Sequence, residues 1–484
     1  MSRPRFGRIS ALSSLVLLGA LACPREAEAS GYLTARFGAD HGTPASPNTF
    51  AIYFNPAALG GTTGTTITGD VSVLLRLAKY NRTNDALSPS EDSYRSDPKY
   101  VQANTGTATL TNLLALPFAG VNTDFGTKNL RAGYAVYVPF GGLATWDRTS
   151  GVPGSPGSTD GVNRWHNISG QILAVYNTFA VAYKIAPAKL SIGASISPVI
   201  QNVATVRARN LDGSDDTVDS AGNLVEGRSF LNATGVNLAA SAGLYYEPTD
   251  TLRFGLAYLS QPGFGESRLS GTLRTQLRQG QESKSDIDFL QEYPDIIRFG
   301  ASWRASQRLE LKGDFEFVRW SVFKRQCVVE RGAKCAVADD GRRDPGPEGS
   351  RVQLNIPRNW NDAIGVRVGP SYWISENLEA FGSLGMTTPA VPKETIDAST
   401  VDALRLYLTF GAKYDISKHW AIAGSYNHIY FFNVDTKGAN DQNISAHPAN
   451  APGGTDYNVS RSPSADGRYR SQIGFVNVNV AYKF

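Results

Sequence analysis

The sequence predicts an all-β fold, a single transmembrane antiparallel β-barrel of about fourteen strands whose lumen is plugged by an N-terminal hatch. Three observations carry this. An export signal is followed by no spanning helix. Strand-length stretches alternate apolar and polar residues. The connections between them alternate between long and short.

The first element is the export signal. Arg3, Arg5 and Arg8 form a basic start, residues 9–22 are apolar, and Ala27-Glu28-Ala29 is an A-x-A site, which predicts a signal peptide over 1–29. A lipidated Cys23 is the rival, weakened by Pro24 and by the alanine that opens Ala20-Leu21-Ala22. Losing four arginines and two glutamates takes the net charge from +4 to about +2, which argues against a nucleic-acid partner. No run of 18 apolar residues follows the signal, so a spanning chain must close a sheet on itself. Charged residues are only 19%, with 48 glycines, 21 tyrosines and 22 phenylalanines, a composition suited to a barrel.

The second element is 30–64, which has no clean period. Phe50-Ala51-Ile52-Tyr53-Phe54 is too apolar for solvent, and burial inside the barrel accommodates it. The barrel itself is expected over 65–484. Alternation is clearest at the end, where Val476, Val478, Val480, Tyr482 and Phe484 share one face. The terminal Phe484 points to recognition by barrel-assembly machinery; a soluble sandwich strand is the bland alternative. Short connections fall at 122–129, 185–189, 247–250, 305–307, 375–377 and 415–419. Long ones fall at 80–109, 141–167, 208–232, 262–285, 325–358, 388–402 and 434–469. This places both chain ends in the periplasm, in the outer membrane of a Gram-negative bacterium.

Alternation also sorts the charges. Arg253, Arg298, Arg367 and Arg405 fall on lumen faces, with Glu310, Lys312, Asp314 and Glu316. They either pair with one another and hold the hatch, or one of them meets a substrate carboxylate. Phe140, Leu143, Trp146 and Trp165, in or beside the second long connection, offer a capture surface or an interfacial girdle. Cys327 and Cys335, in a polar stretch of an exported chain, predict a loop disulfide; a zinc site lacks further ligands nearby. The five histidines stand in no hydrolase context, and the aspartates of 208–223 lack calcium-loop spacing. No cofactor and no metal are expected.

Several motifs, taken in order, carry a resemblance. Ala39-Asp40 precedes Tyr53-Phe54-Asn55-Pro56-Ala57-Ala58-Leu59. Gly243-Leu244-Tyr245-Tyr246-Glu247-Pro248-Thr249-Asp250 runs into Arg253-Phe254-Gly255-Leu256-Ala257-Tyr258. Tyr293-Pro294-Asp295, Arg298-Phe299-Gly300, Trp320-Ser321-Val322-Phe323, Asn359-Trp360-Asn361-Asp362 and Pro389-Ala390-Val391-Pro392 follow. Together they resemble the FadL/TodX family of outer-membrane transporters of hydrophobic compounds. The resemblance implies a plugged fourteen-stranded barrel that takes up long-chain fatty acids or similar molecules and releases them sideways where the third strand bends inward. It implies that Asn55-Pro56-Ala57 sits against that strand, about 129–140, with the bend near Gly133. The expected partners are the hydrophobic substrate and membrane lipid, for a monomer. The acidic stretch 208–232, with Asp212, Asp215, Asp216 and Asp219, departs from the family's apolar capture loop. A general porin, or an outer-membrane lipase, is the alternative function.

Overall fold

The computed structural model describes residues 33–34, 36–210, 212–276, 282–440 and 457–484; the export segment expected at 1–29 lies outside them. Fourteen strands make the wall. They are β1 (Thr66–Arg82), β2 (Gly106–Thr123), β3 (Leu130–Thr145), β4 (Ser169–Ile185), β5 (Leu190–Arg209) and β6 (Gly227–Thr249). Four interrupted strands follow: β7 (Leu252–Leu259, Glu266–Gln276), β8 (Glu282–Glu292, Ile296–Arg304), β9 (Leu309–Val318, Arg325–Glu330) and β10 (Val352–Pro357, Ala363–Trp373). The last are β11 (Leu378–Thr387), β12 (Arg405–Asp415), β13 (Trp420–Phe431) and β14 (Gly467–Lys483). Each pairs antiparallel with the next, and β14 closes on β1 from Thr66↔Lys483 to Arg82↔Gly467. Closure removes free edges from the lipid everywhere except between β2 and β3, which pair only over Phe118–Thr123.

The period of two decides which way each side chain faces. On β1, Ile67, Val71, Val73, Leu75 and Leu77 are exposed to lipid, and Asp70, Ser72, Leu74 and Arg76 are buried inward. On β14, Val476, Val478 and Val480 face out and Asn477 faces in. All six short connections stand at one end. The long ones stand at the other, the outer end by barrel convention.

Two expected loops are partly strand. Within 262–285, Glu266–Gln276 and Glu282–Glu292 form a hairpin, from Glu292↔Glu266 to Glu282↔Gln276; its tip, 277–281, lies outside the described residues. Within 325–358, Arg325–Val329 pairs with Val352–Pro357. Both hairpins extend past the lipid-facing belt. There water wets the outer face, and apolar alternation no longer marks a strand although the backbone ladder continues. The same outer end carries the Cys327–Cys335 disulfide, with Cα atoms 6.1 Å apart.

Residues 36–61 fill the lumen at the short-turn end. A one-turn helix, α1 (Ala51–Phe54), leads into a 3-10 turn at Pro56–Gly61. Phe37, Phe50, Ile52, Tyr53, Ala57 and Leu59 are buried in one cluster with inward residues of the wall such as Phe118, Tyr137 and Tyr245. The five large ones, Phe37, Phe50, Ile52, Tyr53 and Leu59, at about 1.5–3 kcal/mol each, hold the plug in place.

Candidate functional site

The site has three parts: the hatch, an opening in the wall beside it, and a cavity above. The hatch is fixed by polar contacts of lumen charges. Asp40 receives Arg367 Nη1 at 2.9 Å and the Ser383 hydroxyl at 2.7 Å. Arg298 donates to Tyr53 O at 3.1 Å, to Tyr53 Oη at 2.7 Å and to Glu316 at 2.7 Å. Arg36 meets Asp314 at 2.9 Å, and His41 lies 3.2 Å from Glu379. Arg253 pairs with Glu310 at 2.7 Å, and Arg405 with Asp402 at 2.7 Å. All four arginines expected on lumen faces are therefore there, and each is engaged by protein. Arg298 and Arg367 grip the hatch directly.

The Asn55-Pro56-Ala57 turn lies elsewhere than expected. Asn55 Nδ2 donates to Leu244 O and Pro44 O, both at 2.9 Å, and Oδ1 accepts from Ala57 N at 3.1 Å. Asn55, Pro56 and Ala57 themselves meet β5, β6 and β7, while the 3-10 turn that they open also lies against β4 and, to a smaller extent, β3. Glycines explain the choice. A Cβ at Gly193 would stand 2.4 Å from Ala57 N, one at Gly243 2.0 Å from Asn55 Oδ1, and one at Gly255 1.9 Å from Pro44 O. Only strands notched there admit the hatch backbone so closely. On β3, Gly133 plays the same part for α1, its missing Cβ lying 2.7 Å from Ile52 Cδ1.

Gly133 is consequently not the bend. It pairs regularly with Asn122 and Ala180. The break comes later, where the β3–β4 register shifts between Tyr137 and Phe140. Pro139 sits in the shift and has no N–H for a ladder. The wall opens at this point. β2 pairs with β1 along its whole length, but with β3 only over Phe118–Thr123. Beyond Tyr137, β3 meets Leu33–Thr34 of the hatch instead, at Gly141 and Phe140. The two strands rejoin at the outer end, where Asp147 N donates to Thr109 O at 2.9 Å. Between these points Leu116 faces Gly141 across the opening. A Cβ at Gly141 would lie 3.7 Å from Leu116 Cδ2.

The aromatics expected as an outer capture surface or girdle are inside. Phe140, Leu143, Trp146 and Trp165 are all buried. The bulge changes the phase of alternation, so Phe140 turns inward, with ring centroids 5.6 Å from Tyr293 and 6.4 Å from Trp320. Trp146 Nε1 donates to Ala398 O at 3.3 Å, and Trp165 Nε1 to Asn104 Oδ1 at 2.9 Å. The outer loops fold together across the mouth and bury these rings, through contacts far apart in sequence.

Above Phe140 lies a narrow cavity with about 60 Å³ of open space. Its floor is apolar: Val203, Leu231, Phe289, Val328 and Leu354, a buried cluster of its own. Ile172, paired with Gly142 of β3, packs against both this cluster and the hatch cluster, and makes the apolar surface continuous. The other end is polar, with His166, Arg207, Arg358 and Thr400. Arg358 is occupied by Asp397 at 2.9 Å and by Gln326 at 2.8 Å. Arg207 is different. It is 6% exposed, yet among the described residues no hydrogen bond or ion pair engages its guanidinium. Burial lowers the His166 imidazole to about 4, so it stays neutral at neutral pH, with Nε2 lacking a hydrogen-bond partner. The cavity therefore presents a cation at one end of a greasy slot, beside a neutral imidazole. Sequence reading passed over Arg207 because it looks like any other charge near a strand end.

The pattern described as outer membrane protein transport protein (OMPP1/FadL/TodX) matches residues 19–467. Among solved structures, a Pseudomonas aeruginosa FadL homologue superposes with TM-score 0.70 at 15% identity, covering 95% of this chain and 100% of that one. The Ralstonia pickettii toluene transporter TbuX gives 0.60 at 16%, covering 94% and 99%. The P. putida toluene transporter TodX gives 0.59 at 16%, also covering 94% and 99%. An outer membrane protein of Neisseria meningitidis serogroup B is 23% identical over 192 residues, which span 40% of this chain and 36% of that protein.

Proposed function

Because the chain belongs to the OMPP1/FadL/TodX family of outer membrane transport proteins, we propose that it carries amphiphilic carboxylates, long-chain fatty acids first among them. Membership makes it an outer-membrane transporter of hydrophobic compounds and not an enzyme. The carboxylate reading rests on one observation, the buried and unengaged Arg207 at the polar end of an apolar cavity. A guanidinium so placed matches a carboxylate with two hydrogen bonds, while the tail lies along Val203, Leu231, Phe289 and Leu354. The tail then follows Ile172 to Phe140 and leaves through the opening between β2 and β3, once Leu33–Thr34 withdraws from the β3 edge. A hatch buried across the lumen disfavours a general porin, which needs an open water path.

The test replaces Arg207 with glutamine and measures binding of a fluorescent long-chain fatty acid and of its methyl ester. A charge-assisted pair contributes about 1.5–3 kcal/mol, so the acid should bind roughly 10- to 100-fold more weakly. The ester, which lacks the charge, should change little. Equal losses for acid and ester, or none for either, would remove Arg207 from recognition.

A further inference from the structure

On the outer surface of the wall, the β1–β14 seam carries two cations face to face near its outer end. Lys79 of β1 stands directly opposite Arg470 of β14 in the ladder. Both are exposed, on the lipid-facing side of their strands. Directly opposed residues have Cβ atoms about 4.5–5.5 Å apart, and like charges so placed repel. Inside the barrel the arrangement is the reverse: Arg253, Arg298, Arg367 and Arg405 each meet a carboxylate. Arg468, the next outward residue of β14, meets Asp435 at 3.2 Å. Lys79 and Arg470 differ, because among the described residues no acid forms an ion pair with either. Thr109, opposite Lys79 on its other side, gives its hydroxyl to Asp147 at 2.7 Å.

The height of this pair in the membrane follows from its neighbours. One step toward the middle of the wall Leu77 faces Gln472, then Leu75 faces Gly474, and then Val73 faces Val476. Leu77, Leu75, Val73 and Val476 are exposed, so the apolar belt begins directly beneath the two cations. On β13, Tyr430 lies opposite Gln472 and contacts Phe432, with ring centroids 5.5 Å apart, and both rings are exposed. Exposed rings at the edge of the belt mark the boundary between acyl chains and headgroups. Lys79 and Arg470 therefore stand at headgroup height on the outer leaflet. Rim charges are commonly just solvated, but solvation asks for no second cation across the ladder. At the same height β2 carries Thr107, Thr109 and Thr111, which meet a polar boundary without any charge.

We infer that Lys79 and Arg470 together bind the phosphate group of an outer-leaflet lipid, whose acyl chains lie down the Leu77–Leu75 face of β1. One anion between the two cations turns their repulsion into two attractions. The guanidinium meets two phosphate oxygens with parallel N–H donors, and the ammonium adds a compact charge on the other side. The apolar belt beneath supplies the surface for the chains, so the site selects a phosphate that carries chains over one that is free. A zwitterionic headgroup brings its own cation to the pair and fits less well.

The probe is dioleoylphosphatidic acid, added to the folded full-length protein in a neutral detergent and followed by native mass spectrometry. Dioleoylglycerol is its phosphate-free counterpart, and inorganic phosphate its chain-free one. The expected result is one preferred adduct with the phosphatidic acid, roughly tenfold tighter than with the diacylglycerol and not displaced by an equal concentration of inorganic phosphate. Lys79→Gln and Arg470→Gln, neither of which lines the hatch seat or the cavity, should each weaken that adduct about fivefold, and the two together more than about tenfold. Lys413→Gln, which removes a charge already held by Asp415 at 2.9 Å, should leave it unchanged. In lipid-free detergent the single variants should melt no lower than the unaltered protein, because each relieves the repulsion across the ladder. Should the double variant fail to fold, judged by heat-modifiable gel mobility, the single variants carry the test. Equal binding of the two lipids, unchanged affinity in the variants, an equal loss in Lys413→Gln, or displacement by free phosphate would overturn the assignment.

Discussion

Replacing Gly193 with alanine should loosen the hatch without touching any charge. The added Cβ would stand 2.4 Å from Ala57 N, 2.6 Å from Ala57 Cα and 2.6 Å from the Pro56 carbonyl carbon. All three are backbone atoms, so no side chain can rotate away. Ordinary contact begins near 3.4 Å, so the turn must retreat by about 1 Å. Overpacking of this kind costs about 1–3 kcal/mol. The same retreat stretches the 2.9 Å bond from Asn55 Nδ2 to Leu244 O beyond useful length, for a further loss of about 1 kcal/mol. A total near 2–4 kcal/mol makes the detached hatch roughly 30- to 1000-fold more populated. The assay is hydrogen exchange of the peptide spanning 51–61 in the detergent-solubilised protein, with Gly69→Ala beside it, because a Cβ at Gly69 meets nothing within 4 Å. Equal protection in the two variants would refute the argument that glycine notches seat the hatch.

Two further outcomes follow from the same geometry. Arg298→Met removes three donors from Tyr53 and Glu316 and should cost about 3–5 kcal/mol of hatch anchoring, read as raised conductance or frequent large openings in planar bilayers. Gly141→Leu, placed opposite Leu116, should narrow the wall opening; fatty-acid uptake should fall severalfold at unchanged binding affinity, measured in cells and on purified protein at equal surface level.

What the sequence disclosed depended on range. The facing of Val71, Val476 or Leu256 is legible because lipid on one side and lumen on the other impose a period of two on neighbouring residues. The hairpin at Glu266–Glu292 is not, because past the lipid belt nothing enforces that period. The bend in β3 had a local signal, Pro139 inside an alternating strand, and Gly133 was the weaker choice because a glycine there also serves close packing. Gly193, Gly243 and Gly255 carried the same signal for the hatch seat. That they face Asn55 depends on contacts nearly two hundred residues apart, and no local pattern encodes such a contact. Trp146 and Trp165 looked superficial for a like reason. Their loops are polar, and burial arises only when residues such as Ala398 and Asn104 fold over them.

The hatch is held unevenly, and this asymmetry bears on how the opening works. Toward β5–β10 it is fixed by the glycine notches, by Asn55 on Leu244, by Arg298 on Tyr53 and by Arg367 on Asp40. Toward β3 the outermost contact is a two-residue ladder, Leu33–Thr34 on Phe140–Gly141. A ladder of that length contributes about 1–2 kcal/mol against several for the buried ion pairs. If substrate leaves sideways as proposed, opening would start at the N-terminal strand, on a stretch of wall where β2 and β3 are already apart. The plug need not leave the barrel for the wall to open. Displacing two residues frees the β3 edge beside Phe140, at the end of the apolar path that descends from Arg207 through Ile172.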